Sequence, residues 1–476
     1  MPRDYLIFVG GKFVKTSISH EVKAAYDGRL VGAAYLATVK EMEEAANAAV
    51  SAFRKTGRMP PYERSDVLEK ISAGIENRME EIVGILSAEA GKPVKAARQE
   101  LQRSVFTFRY AAEEARRITG EIIPLDAHVS GKGHACFVKR FPIGPVFGIT
   151  PFNFPMNLVA HKVAPAIAAG NPIVIKPASK TPLTALILAE IVAESGWPEG
   201  GFSVVPAPPE LAEKAAADDR YNMLTFTGSP KTGWRLKKIA GKKRVTLELG
   251  GNAGVIVDDS ADLEDAAARI AAGGFGYAGQ TCISVQRIFV HEKVYDRFRK
   301  KFLGMVKVLK IGDPLDESTD VGPLITEVEA NRVRDWVDEA VNSGAKLLCG
   351  GSMEKGSLME PTVLENCSPE MKVNCHEIFG PVVTLTPFND MEKAIEMVND
   401  SEYGLQAGIF TRDLNFAFMA WERLSVGGVN VGNVPTFRVD HMPYGGVKLS
   451  GLGREGIKYA IEEMTELKNM VIKLPL

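Results

Sequence analysis

Residues 223–251 read MLTFTGSPKTGWRLKKIAGKKRVTLELGG, and this stretch decides the fold. Met223-Leu224-Thr225-Phe226 is a short apolar run of strand type, broken by Gly228-Ser229. Residues 230–240 carry helical spacing, and Arg244-Val245-Thr246-Leu247-Glu248 is strand-like again. Short apolar runs alternating with helical segments build βα units around a parallel sheet, because parallel neighbours need a crossover helix between them. The same alternation runs upstream. Val146–Ile149 precedes helix 155–168, Pro172–Ile175 precedes helix 182–195, and Phe202–Val205 precedes helix 209–217. Amphipathic helices are expected at 39–56, 62–90 and 93–117, and a strand at 134–141. A second α/β block begins at Gly254–Val257 and runs to about residue 440, with helices at 261–273, 292–308, 327–343 and 390–400. The last strand-like segment, 466–474, has no partner in its own neighbourhood, which suits pairing with another element or another subunit.

The bulk composition narrows the function classes. A chain of 476 residues exceeds one compact core, so two or three domains are expected. A net charge of −2 offers no basic footprint for nucleic acid or an anionic membrane. No run approaches a membrane-spanning length, and Met1–Phe8 is too short in apolar residues for a signal peptide, so a cytoplasmic location is expected. Five cysteines without CxxC or regular spacing argue against a disulfide framework or a zinc site, and no metal is expected.

Chemistry concentrates at two glycine-framed motifs. Glu248-Leu249-Gly250-Gly251 supplies a carboxylate, and Gly279-Gln280-Thr281-Cys282 supplies a thiol. Cysteine attacks an aldehyde carbonyl well because sulfur is a strong nucleophile even at a low thiolate fraction. A separate glutamate can activate the water that releases a thioester as a free acid. Asn153, in Pro151-Phe152-Asn153-Phe154-Pro155, can donate to the oxyanion of such an attack, although a lone Asn there more often serves as a turn or cap. Lys176 ends a strand within reach of a ribose or phosphate. Gly228-Ser229 opens a helix whose N–H groups attract a pyrophosphate, though the usual GxGxxG fingerprint is missing. Glu377, in Glu377-Ile378-Phe379-Gly380-Pro381, pairs a carboxylate with an aromatic ring beside a rigid turn.

In order and spacing, these motifs resemble the aldehyde dehydrogenase superfamily over nearly the whole chain. The resemblance is to its NAD(P)-dependent, non-acylating members, because CoA-acylating relatives lack the equivalent of Glu248. It implies Cys282 as nucleophile, Glu248 as general base, Asn153 as oxyanion donor, and Lys162 and Glu455 as a proton relay. It implies a cofactor site at Ile149, Thr150, Pro151, Phe152, Lys176, Ser179, Gly228, Ser229, Gly233, Leu249, Glu377 and Phe379. The implied architecture is α/β, with a Rossmann-like cofactor domain (1–120 and 143–252) and a catalytic domain (253–440). Oligomerisation and bridging segments (121–142 and 441–476) complete it, the hairpin near 121–142 pairing with strand 466–474 across subunits of a homodimer or homotetramer.

Ser179 stands where NAD-preferring relatives often carry Glu, so repulsion of a 2′-phosphate is absent, and Lys180 adds a positive charge. NADP is therefore expected to be accepted, with NAD as the alternative. Arg103, His161, Thr281 and Arg438 are the candidate aldehyde-pocket residues. Their segments resemble the branch that handles lactaldehyde, phosphonoacetaldehyde and, without phosphorylation, glyceraldehyde 3-phosphate. Equally, Arg103 and Arg438 suit interdomain ion pairs. Phosphate-handling relatives carry Arg where Thr281 stands. The expected substrate is a short hydroxylated or anionic aldehyde, lactaldehyde-like, with glyceraldehyde 3-phosphate or succinate semialdehyde as alternatives. A non-catalytic protein on the same fold is the remaining one.

Overall fold

The computed structural model describes residues 3–474. Its architecture is α/β, built on two large sheets and a small antiparallel arm. In the first sheet the central strands run Arg244–Glu248, Met223–Thr227, Val146–Ile149, Ile173–Lys176, Phe202–Val204, all parallel. The last four are buried throughout, as a parallel strand covered on both faces requires, and Arg244–Glu248 is buried from Thr246 onward. Helix Asn157–Ala169 is buried at every position, between this sheet and helix Val94–Ala115. Full enclosure accounts for its composition, apolar all round except for Asn157, His161 and Lys162.

The second sheet, ordered Lys346–Cys349, Thr362–Glu365, Val382–Phe388, Val285–His291, Ala253–Val257, Gln406–Phe410, Gly428–Val431, is parallel apart from its first pair. The carboxyl ends of Arg244–Glu248 in one sheet and the start of Ala253–Val257 in the other are joined by Leu249-Gly250-Gly251-Asn252, which places the ELGG motif between the two sheets.

Four features depart from the sequence expectations. The segment 62–90 is two helices, Pro61–Asn77 and Met79–Ala90. They part at Arg78, which leaves helical dihedrals and bridges Glu81 and Glu190. A one-turn 3₁₀ segment, Glu292–Val294, likewise precedes helix Tyr295–Val306. Near the N-terminus, Ile7–Val9 and Lys12–Val14 form a hairpin on the edge of the first sheet, and Arg3–Tyr5, Ser19–Lys23 and Leu30–Tyr35 form a separate three-stranded sheet. These strands are too short for alternation to be visible.

The fourth departure corrects the partner of the terminal strand. Thr465–Lys473 pairs antiparallel with His134–Pro142 of the same chain along its whole length, from Thr465 opposite Pro142 to Lys473 opposite His134. Glu121–Ile123 adds a third strand. Preceding this strand, Gly451–Leu452 caps the edge of the first sheet beside Glu248, and helix Ile457–Glu463 packs on helix Asn157–Ala169. No helix among the described residues is long and apolar enough to cross a membrane.

Candidate active site

Two glycines bring the three motifs into contact. A Cβ on Gly251 would stand 2.3 Å from the Cys282 carbonyl oxygen, and one on Gly250 would stand 2.1 Å from Glu377 Oε2. Only glycine permits these approaches. The Gly251 N–H also donates to Glu377 Oε1 at 2.9 Å. Cys282 follows a strained loop in which Tyr277 and Ala278 both adopt φ of 52°, uncommon for residues with a Cβ. The loop is held by Tyr277 Oη donating to the Ala90 carbonyl, and by the Gln280 side chain, which accepts from Ile325 N–H.

Cys282, Glu248, Asn153, Thr281, Arg103 and Arg438 line one cavity of about 1120 Å³. Pro151, Phe152, Gly228, Ser229, Leu249, Glu377 and Phe379 line the same space. Asn153 Nδ2 donates to the Gln280 carbonyl at 2.9 Å, which orients the amide and commits one of its two N–H bonds. Phe152 and Phe379 meet edge to face at 5.9 Å, and Phe379 holds φ of 45°.

The carboxylate of Glu248 is buried, and neither oxygen has a partner among the described residues. Burial, reinforced by the Glu455 carboxylate, raises its pKa well above the ordinary value, against the pull of Arg438, Lys162 and Arg454. Burial also pushes the Cys282 thiol up to about 12, with Glu377 and Glu248 adding to it and Tyr444 and Arg438 opposing. For Glu377, burial raises the carboxyl to about 7 despite the Gly251 N–H and Arg332.

Behind Glu248 lies a buried charged network. Lys162 Nζ donates to Thr225 and Thr227 hydroxyls at 3.0 and 2.8 Å and pairs with Glu455 at 3.3 Å. Burial tends to raise Glu455, but Lys162, His161 and Arg438 overcome it and hold the carboxyl at about 2. Arg438 donates to Glu455 Oε2 at 3.2 Å and stacks over the Tyr444 ring at 3.7 Å. His161 does not reach the cavity. It is buried behind Arg438, with Nε2 at 2.8 Å from Asp440 Oδ1. Asp440 in turn accepts from Arg103 and from Asn157 Nδ2. Both arginines thus combine the two roles weighed for them, since each is ion-paired and each lines the cavity.

The remaining candidates extend away from the nucleophile. Ile149 and Thr150 are buried at a strand end, and Lys176 ends the neighbouring strand. Burial alone brings the Lys176 ammonium down to about 8, with no acidic partner offsetting it. Ser179 is exposed, and its carbonyl lies 2.9 Å from His20 Nε2. Gly233 sits where a Cβ would meet Leu249 Cδ2 at 2.4 Å. A desolvated unpaired cation, a glycine-lined helix start at Gly228-Ser229 and a buried carboxylate at Glu377 fit the phosphates and hydroxyls of a nicotinamide dinucleotide.

Sequence reasoning missed Tyr444 and Asp440. Tyr444 Oη is 2.9 Å from Cys282 Sγ. Its only sequence signal was an aromatic followed by Gly445-Gly446, and Asp440 had none.

The class is that of NAD(P)-dependent oxidoreductases, and the cavity here holds a cysteine beside a buried glutamate. The aldehyde dehydrogenase family model matches residues 13–470, and the chain belongs to that family. It is 44% identical over 473 residues to a 3-sulfolactaldehyde dehydrogenase of Priestia megaterium, covering 99% of this chain and 98% of the relative. A solved structure of aldehyde dehydrogenase 21 from Physcomitrella patens, in complex with the reaction product succinate, is 48% identical with a TM-score of 0.97, covering 99% of each chain. The glyceraldehyde-3-phosphate dehydrogenase GapN of Methanocaldococcus jannaschii, solved with NADP, is 40% identical with a TM-score of 0.92, covering 96% of this chain and 99% of that one.

Proposed function

We propose that the protein oxidises a short hydroxylated or anionic aldehyde, lactaldehyde-like, to its carboxylate. The observation that carries the substrate class is the lining of the cavity around Cys282 by the hydroxyl residue Thr281 and the two cationic residues Arg103 and Arg438. A hydroxyl and guanidinium groups beside the thiol recognise a substrate hydroxyl and anion through hydrogen bonds and charge. The relatives support this choice, being named for sulfolactaldehyde and glyceraldehyde 3-phosphate or bound to succinate. Succinate semialdehyde is the second reading, favoured by the succinate in the Physcomitrella structure.

In this reading Cys282 Sγ attacks the carbonyl carbon, and the oxyanion meets the free N–H of Asn153 Nδ2 and the Cys282 backbone N–H. Lys176, Gly228, Ser229 and Glu377 would hold a nicotinamide cofactor, which when bound would supply the hydride acceptor for oxidation of the Cys282 adduct to a thioester. Glu248 then takes a proton from water, the water oxygen attacks the thioester, and sulfur leaves as thiolate. Lys162 and Glu455, adjoining Glu248 in the buried network, are the route for its proton. We assign 1–120 and 143–252 to cofactor binding and 253–440 to catalysis. The arm, 121–142 with the terminal strand, is assigned to a cytoplasmic homodimer or homotetramer.

A steady-state panel of lactaldehyde, sulfolactaldehyde, succinate semialdehyde, glyceraldehyde 3-phosphate and propanal, each with NAD and NADP, tests the reading. The hydroxylated or anionic aldehydes should exceed propanal in kcat/KM by about ten-fold or more. Equal turnover of propanal would refute the substrate class. NAD efficiency about ten-fold above NADP would refute the Ser179 argument. Cys282→Ala should abolish NAD(P)H formation, and persistent turnover would refute the mechanism.

A further inference from the structure

We propose that Tyr444 is a catalytic hydrogen-bond donor to the Cys282 sulfur, held in place by Arg438, and that it sets how readily this thiol ionises. The proposal rests on Cys282 being the nucleophile. Tyr444 Oη and Cys282 Sγ are 2.9 Å apart, and the phenol makes no other hydrogen bond among the described residues. A thiolate carries no proton, so in the reactive form the O–H of Tyr444 is the donor. Charge-assisted bonds of this kind are about twice as strong as neutral ones.

The phenol is fixed from several sides. The backbone of Tyr444 exchanges two hydrogen bonds with Glu455, N–H to carbonyl in both directions, at 3.0 and 2.7 Å. Arg438 covers the ring at 3.7 Å, and its guanidinium is anchored by Glu455. A cation on the ring face draws electron density from the phenol and strengthens its O–H as a donor. Gly445 next door allows the segment to pass Glu248, since a Cβ there would be 3.0 Å from Glu248 Oε1.

The surroundings of the sulfur explain why such a donor is needed. The charged and titratable groups facing Cys282 are Glu377, Glu248, Arg438 and Tyr444. Burial and the two glutamates oppose ionisation, and Tyr444 and Arg438 favour it. Behind Glu248 stand Glu455, Lys162 and Arg454, which act on the sulfur through that carboxylate. Asn153, an amide donor lining the cavity, has one N–H turned to Gln280.

The step balances without Tyr444 changing state. The S–H bond breaks, its proton passes to the Glu248 carboxylate or to water, and the Tyr444 O–H stays intact while donating to the sulfur lone pair. When the C–S bond forms, that lone pair is consumed. When the thioester is hydrolysed, the departing thiolate recovers the Tyr444 hydrogen bond, so the donor favours release.

The test is peptide-resolved alkylation of Cys282 by iodoacetamide against pH, in wild type and Tyr444→Phe, with the other four cysteines as internal controls. Because burial already pushes this thiol up to about 12, the quantity read is the alkylation rate between about pH 7 and pH 9; loss of the donor should lower the Cys282 rate about three-fold or more and leave the other rates unmoved. Incorporating 4-aminophenylalanine at 444 keeps the shape with a weaker, non-acidic N–H donor, and should lower the rate by less than Tyr444→Phe does. That variant decides the matter even if Tyr444→Phe fails to fold. Equal Cys282 alkylation rates in the wild type and the substituted forms would overturn the proposal. Alkylation needs neither aldehyde nor cofactor, so a protein that oxidises no aldehyde in the panel refutes the function while the alkylation rate still judges Tyr444.

Discussion

Asp440→Asn removes one negative charge from the centre of the buried network. Asp440 is 2% exposed and accepts from Arg103 at 2.7 and 3.1 Å, from Asn157 Nδ2 at 3.1 Å and lies 2.8 Å from His161 Nε2. The amide keeps the shape but turns one acceptor into an N–H₂ facing these donors. Removing one partner of a buried ion pair destabilises by about 3–5 kcal/mol. Arg103 keeps 31% of its side chain in water, which screens its loss, so about 2–3 kcal/mol is the expected effect. With an unfolding entropy of roughly 2 cal/mol/K per residue over 476 residues, this lowers Tm by about 2–3 °C.

The same substitution makes a pH prediction. Burial works to raise the Asp440 carboxyl, but His161 and then Arg103 overcome it and hold it well below the usual range. A depressed carboxyl contributes stability above its unfolded pKa, and this is lost as pH falls through the folded value. Scanning calorimetry should therefore show a Tm difference between wild type and Asp440→Asn that holds steady from about pH 7 to pH 5 and narrows below about pH 4. An unchanged Tm at neutral pH would refute the ion-pair reasoning, and so would a difference that widens on acidification.

Three further outcomes are expected. Glu248→Gln should lower steady-state turnover by about 10²–10⁴ while stopped-flow absorbance still shows a burst of NAD(P)H near one per active site, and loss of the burst would place Glu248 in acylation instead. Gly250→Ala forces a Cβ onto Glu377 Oε2 and should raise the cofactor KM about ten-fold or more with the fold retained by circular dichroism. Glu89 accepts the N–H groups of Leu183 and Thr184 at a helix start, and burial raises it to about 7. A raised carboxyl binds its proton more tightly in the folded state. Its contribution therefore falls as pH climbs from the ordinary carboxylate range to about 7, and urea titrations should show wild type losing stability relative to Glu89→Gln over that window.

The candidate site was legible where function demands an unusual local sequence. Gly250 and Gly251 announce close backbone approaches, and the structure names the atoms approached, Glu377 Oε2 and the Cys282 carbonyl. His161 was read as a pocket residue because its segment resembles the lactaldehyde-handling branch, yet on a fully buried helix it faces Asp440 behind Arg438. Tyr444 looks like any loop aromatic until the fold sets it against Cys282, which is remote in sequence.

The sequence by itself determined the βα alternation, the two α/β blocks and the pairing of a thiol with a carboxylate, because periodicity and glycine placement are local properties. Tertiary structure alone decided that Thr465–Lys473 returns to His134–Pro142 of its own chain, and that Arg103, His161, Arg438, Asp440 and Glu455 share one buried network. Strand pairing and proton affinity depend on which distant groups come together and how much water they exclude, and no local pattern encodes either.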